Sequence, residues 1–211
     1  MPLAYAYRYS DAHRAGVGRH QSEQHMWSYK EQRPGPGCVT DLSAMLLLAL
    51  QWHRRCAESK VGLPWQLWAV VPSSKHQRLG THPLVGLGLG AGLDGTIPPL
   101  PSQRAELVLT GPPSADRDLH EGRFFVPQPG LIAGKHVLLL EDTWVTGSSA
   151  QAAALSLKQA GAAGVTIACV ARWLREDTEW VDCSAFFREL QTPYDALDCP
   201  VLGHHCSGPY G

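Results

Sequence analysis

Residues 136–172 constrain this chain more than any other stretch. His136 to Leu140 reads HVLLL, Thr146 to Ala160 is rich in Ala, and Val165 to Arg172 reads VTIACVAR. An unbroken apolar run of that length, with no polar alternation, is the pattern of a strand buried on both faces, which parallel sheets require. The Ala-rich stretch has high helix propensity, and Gly161 and Gly164 lie where a helix would stop. A strand, a helix and a second strand in that order need a crossover connection, so the reading is a βαβ unit within a doubly wound parallel α/β sheet.

Other elements fit around this unit. Thr40 or Asp41 can cap a helix with Leu42, Met45, Leu46, Ala49 and Leu50 at helical spacing, predicted to run to about Glu58. Gln66 to Val71 (QLWAVV) reads as a buried strand stopped by Pro72. Leu84 to Leu93 reads as a poor, Gly-interrupted helix, and 94–104 as a loop. Glu106 to Thr110 and Arg123 to Val126 read as short strands flanking a Gly/Pro/Asp-rich loop, Gly111 to Gly122, with the composition of a lid. The first 37 residues are polar and aromatic and end in Pro34-Gly35-Pro36-Gly37, a strong breaker. Three regions are therefore expected: 1–37 as an N-terminal hood-like segment, 38–175 as an α/β core, and 176–211 as a C-terminal extension.

Composition excludes several classes. The 211 residues carry a formal net charge of −1, which gives no field for nucleic acid or an anionic membrane. The longest unbroken apolar run, Ala44 to Leu50, is far shorter than a membrane span. Met1 to Ser10 lacks a positive region followed by an apolar stretch, so the expected location is the cytoplasm. In a reducing compartment the six Cys are not a disulfide framework.

The chemistry concentrates where the strongest strand ends. Val137 to Ser149 reads VLLLEDTWVTGSS: aliphatics, two adjacent carboxylates, a loop, then hydroxyls and a Gly opening a helix. Open α/β sheets bind ligands outside the carboxyl ends of their strands. A helix N-terminus presents unpaired N–H groups and the positive end of the dipole, which suit a phosphate. Thr146, Ser148 and Ser149 add hydroxyl donors, and Gly147 allows close backbone approach. Glu141 and Asp142 would repel the same phosphate, but they suit sugar hydroxyls, a metal or a developing cation. A ribose 5-phosphate satisfies both halves. The plainer alternative is a solvated Glu-Asp turn with Thr146 as a helix cap.

Those thirteen positions resemble the phosphoribosyl-pyrophosphate (PRPP) motif of type I phosphoribosyltransferases, with Thr143 at a commonly aliphatic position and Val145 at a common Thr. The resemblance implies that fold: a parallel sheet flanked by helices, with a hood-like N-terminal segment. It implies that Glu141 and Asp142 serve catalysis by binding the ribose 2- and 3-hydroxyls. Thr143, Trp144, Val145, Thr146, Gly147, Ser148 and Ser149 would cradle the 5-phosphate. It also implies Mg²⁺ bound with PRPP, transfer of the phosphoribosyl group to a small acceptor with release of pyrophosphate, and a homodimer.

The family's second loop, for pyrophosphate, falls on Ser73, Ser74 and Lys75, with Arg78 nearby; a strand-ending turn with a solvent lysine is the equal alternative. Trp173 would stack on the acceptor, and Trp144 would wall its pocket. Tyr29-Lys30, Lys75 and Arg117 to Val126 are similar to the ComF-like branch. Against that branch, His120 and Arg123 replace its Asn and small residue, its Arg-rich loop differs, and its N-terminal zinc finger is missing. The competing readings are a non-catalytic PRPP-binding regulator, a ComF-like DNA-uptake accessory, and a phosphate-ester enzyme. The last lacks a GxxxxGK[ST] lysine.

Two further patterns stand apart. Cys183, Cys199, His204 and Cys206 lie in a turn-rich tail and are candidate ligands for structural Zn²⁺, the alternative being a flexible tail with incidental cysteines. Cys169 reads as core, and Cys38 and Cys56 as isolated. Gly86 to Ala91 nominally resembles a dinucleotide fingerprint, but it sits too far past the strand ending at Val71.

Overall fold

The structure is a computed structural model, and it describes residues 2–8, 21–31, 35–73, 82–87, 100–110, 119–174, 185 and 195–208. In chain order the elements are β1 (Pro2–Arg8), α1 (Gln21–Ser28), α2 (Pro36–Val61), β2 (Trp65–Val70), α3 (Pro83–Gly86), β3 (Val108–Leu109), β4 (Phe124–Phe125), α4 (Pro129–Ile132), β5 (His136–Trp144), α5 (Ser148–Gln159) and β6 (Gly164–Leu174). The main sheet has the order β1-β6-β5-β2, and all of its pairs are parallel. The protein is thus mixed α/β, with a parallel sheet flanked by helices.

Successive side chains of the central strands face opposite sides of the sheet, as a pleat demands, and both sides are buried. Trp68 and Val70 of β2 and Leu138 and Leu140 of β5 pack with Met26, Leu42, Leu46 and Leu50 of α1 and α2. Leu67 and Ala69 of β2 and Val137 and Leu139 of β5 face the other way, onto Ala150, Ala153 and Leu157 of α5. Both faces of β5 are therefore dry, which is why HVLLL carries no polar residue after His136. β2 is covered along its second edge, where the Trp68 N–H donates to the Gln103 carbonyl and the Ala105 N–H to that of Trp68.

α2 is longer than its apolar pattern predicts. Pro36 sits in its first turn, where a missing N–H does no harm, and Gly62 ends it in the left-handed region at φ 77°. The Glu58 carboxylate then accepts from the Trp65 N–H at 2.9 Å and from Arg54 at 2.8 Å, turning the chain into β2. β5 also outlasts its apolar run: Glu141, Thr143 and Trp144 still pair with Cys169, Ala171 and Arg172 of β6. Pairing is decided by the neighbouring backbone, so polar side chains at a strand end do not stop it. Pro2–Arg8, in which no strand is predicted, pairs parallel with β6 and extends the sheet. Glu106–Thr110 and Arg123–Val126 shrink to the two-residue antiparallel pair β3–β4. Of 84–93 only one helical turn, α3, lies within the described residues. Residues 111–118 of the expected lid lie outside them. No described helix is long and apolar enough to cross a membrane.

His136 opens β5 fully buried. Its Nδ1 lies 2.8 Å from the Leu63 carbonyl, which can only accept, and its Nε2 lies 2.8 Å from the Thr166 hydroxyl. The ring thus ties the α2–β2 turn, β5 and β6 together. Thr166→Val keeps the volume but leaves a buried ring nitrogen unpaired. We expect it to lower unfolding free energy by about 1–3 kcal/mol in urea titrations; an unchanged midpoint would refute this role.

Candidate functional site

All strands of the main sheet point the same way, so their carboxyl ends share one side. Glu141 to Trp144 of β5, the residues just past β2 and Ala171 to Leu174 of β6 meet there. The Val71 N–H donates to the Leu140 carbonyl at 2.9 Å, so Ser73 leaves the sheet one strand from Glu141. Ser74, Lys75 and Arg78 lie outside the described residues. Trp173 is half-buried at the same end and pairs with Tyr7.

The two carboxylates have different surroundings. Asp142 continues the face on which Leu138 and Leu140 meet α1 and α2. There the Lys30 ammonium lies 2.7 Å from its Oδ2, and the Tyr29 hydroxyl donates to the same oxygen at 3.4 Å. The Tyr29-Lys30 pair, noted in the sequence only as a similarity, is thus the N-terminal segment's anchor on this site. Burial pushes the Glu141 carboxyl well above the ordinary carboxylate range; the Asp142 charge and a hydrogen bond to Asp142 add to this, and Lys30 and Arg123 offset only part of it. A Glu141 carboxyl that favours its proton can donate, and Asp142, already accepting from Lys30 and Tyr29, can accept.

The loop after the strand is shaped by Trp144 and Gly147. Gly147 has φ 84° and precedes α5 with no side-chain cap. A Cβ on Gly147 would fall inside the Trp144 indole, so the ring lies directly over this turn. The Ser148 N–H approaches the Thr146 hydroxyl at only 3.5 Å, the limit of a hydrogen bond, and that hydroxyl lies 3.3 Å from Ser148 Oγ. Thr143 Oγ1 is buried and has no hydrogen-bond partner among the described residues. Thr143 to Ser149 form one contiguous segment, with Val145, Ser148 and Ser149 no more than partly exposed. First-turn donors without a side-chain cap and a buried hydroxyl without a partner can receive an anion with oxygen atoms.

A second cluster lies elsewhere. His53 and Cys56, one helical turn apart on α2, meet Cys199 and Cys206 of the C-terminal segment, with all four ligand atoms within 4.8 Å of one another. This group can hold a metal ion such as zinc. Cys199 and Cys206 were in the sequence-predicted set. His204 is not in the group: it is exposed, and its Nδ1 donates to the His205 carbonyl at 2.8 Å. Cys183 lies outside the described residues. Cys56, read from the sequence as isolated, is a member, and so is His53, which the sequence reading does not name. The signal was present: His-x-x-Cys on a predicted helix puts both side chains on one face. Cys169 is fully buried core, as read.

Burial pushes the Cys56 thiol up to about 12, with hydrogen bonds to Cys199 and Cys206 adding to it. Burial also pushes Cys199 up, but N–H groups of Leu202 and Val201 and hydrogen bonds from Cys56 and Cys206 hold it below its ordinary value. Burial lowers His53, which favours the neutral, ligating imidazole.

The raised Glu141 carboxyl has a stability consequence. The folded protein keeps that proton above pH 4.3 or so, where an unfolded Glu has lost it, so stability falls as pH rises from there through the folded value. Glu141→Gln removes this term, at most about 1.4 kcal/mol per pH unit. Its urea midpoint should fall less than the parent's between pH 5 and 8; parallel curves would mean that Glu141 ionises freely in the fold.

No protein-family model and no curated protein matches this chain.

Proposed function

We propose that the chain binds PRPP with Mg²⁺ at the carboxyl end of β5 and transfers its 5-phosphoribosyl group to a small acceptor, releasing pyrophosphate. The observation that carries this reading is one contiguous arrangement at a parallel-sheet carboxyl end: Glu141 and Asp142, then the loop 143–149 opening α5 without a side-chain cap. The same placement favours an anionic ligand that also carries hydroxyls.

In this reading the first-turn N–H groups of α5 and the hydroxyls of Thr146, Ser148 and Ser149 bind the 5-phosphate. The buried Thr143 hydroxyl gains the partner that it lacks among the described residues. Glu141 and Asp142 receive the ribose 2- and 3-hydroxyls, one carboxyl donating and the other accepting. The Asp142 carboxylate lies beside the ribose as the C1–O bond to pyrophosphate breaks and the bond to the acceptor forms, where its charge stabilises the cationic centre. Ser73, Ser74 and Lys75 hold the departing pyrophosphate, and Trp173 with Trp144 forms an apolar wall for the acceptor. The carboxylates are also hard oxygen donors suited to Mg²⁺, whose charge would neutralise the diphosphate. Lys30 orients Asp142 and supplies a cation at the rim.

Calorimetric titration of PRPP with and without Mg²⁺ tests this. Micromolar, Mg²⁺-dependent binding is expected, followed by pyrophosphate release with the right acceptor. The double variant Glu141→Gln/Asp142→Asn should weaken binding at least about tenfold, roughly 1.4 kcal/mol. Gly147→Ala should do the same, because its Cβ must displace Trp144 from a left-handed turn. No binding at millimolar PRPP, or unchanged affinity in the double variant, overturns the proposal. Binding without pyrophosphate release from any acceptor would make the chain a PRPP-responsive regulator.

A further inference from the structure

The C-terminal segment has a backbone design that brings two cysteines side by side. Asp198 and His205 form an antiparallel bridge. The Cys206 N–H donates to the Leu197 carbonyl at 2.9 Å, and the Cys199 N–H to the His204 carbonyl at 3.2 Å. Gly203, at φ 74°, closes the turn and donates its N–H to the Cys199 carbonyl at 2.8 Å.

This turn faces α2 where His53 and Cys56 project from one side of the helix. Cys206 Sγ lies 3.7 Å from His53 Nδ1. Zinc bonds of about 2.3 Å to sulfur and about 2.05 Å to nitrogen, at tetrahedral angles, give a sulfur–nitrogen edge of about 3.6 Å and a sulfur–sulfur edge of about 3.8 Å. The 4.8 Å limit on the cluster is within about an ångström of those edges, so side-chain adjustment alone completes a tetrahedron. His53 and Cys199 are buried, at 4% and 2% exposure.

We propose that His53, Cys56, Cys199 and Cys206 bind one Zn²⁺ as a closed Cys₃His site that clips residues 195–208 onto α2. Three thiolates and an imidazole suit zinc and exclude Mg²⁺ or Ca²⁺ as the preferred ion. Four protein ligands leave no position for water or substrate, so the role is structural. The clip has something to hold: Val201 packs on the apolar cluster of Leu50, Ala57 and Trp65, and Pro200 and Val201 line one side of a cleft walled by Ala49, Leu50 and Trp65. On binding, each thiol gives up its proton to solvent.

Elemental analysis of the full chain, saturated with zinc and then freed of loose metal, should give one zinc per chain. The Co²⁺-loaded protein should show a tetrahedral, thiolate-rich spectrum. Cys56→Ala and Cys206→Ala should bring the stoichiometry near zero, while Cys183→Ser and His204→Ala keep one. His53→Cys, which need not disturb folding, should retain one metal and strengthen the thiolate-to-cobalt bands. Chelation should raise amide exchange across 195–208 well above exchange in β5. A metal-free wild type overturns the proposal, as does zinc that survives Cys56→Ala but not Cys183→Ser. Unchanged exchange on chelation overturns the structural role.

Discussion

Parallel pairing of β5 between β2 and β6 is the constraint on which the rest of the molecule depends. It buries both faces of the strand, so Val137 to Leu140 must be apolar. It requires a crossover, which α5 supplies, and so places a helix N-terminus beside the strand's carboxyl end. It also gathers the ends of β2, β5 and β6 on one side, where residues from three distant stretches can serve one ligand. His136 reinforces this pairing from the opposite end, bonded to Leu63 and Thr166.

The two acids sit side by side at the strand end in different surroundings. Asp142, in line with Leu138 and Leu140, reaches the α1 side and meets Lys30 and Tyr29. Glu141, the preceding residue, has its carboxyl pushed up by burial and then by the Asp142 charge. The N-terminal segment is part of this design, because β1 pairs with β6 and Lys30 closes on Asp142.

The His/Cys cluster, which can hold a metal ion, sits on α2, away from the 143–149 loop, and solves a different problem. Residues 195–208 form a turn held mainly by its own backbone bonds, with few apolar side chains to bury. Four convergent soft ligands can supply what so small an apolar surface cannot. The long helix that covers one face of the sheet thus also offers His53 and Cys56 to the C-terminal segment.

Much of the α/β fold and the place of one candidate site were legible in the sequence. HVLLL, the Ala-rich helix and VTIACVAR determined the βαβ unit, and the Glu-Asp pair with its hydroxyl-rich turn marked the site, because all of this lies within about forty contiguous residues where periodicity and local chemistry speak. The reach of β5 to Trp144 and the strand at Pro2–Arg8 were not legible, because each exists through pairing with β6. Likewise Lys30 meets Asp142, and His53 and Cys56 meet Cys199 and Cys206, across more than a hundred residues. Such meetings depend on the path of the whole chain, which no local pattern encodes. Only the tertiary structure could turn an isolated-looking Cys56 into a candidate ligand and exclude His204, two residues from Cys206, because a ligand set is decided by where side chains converge.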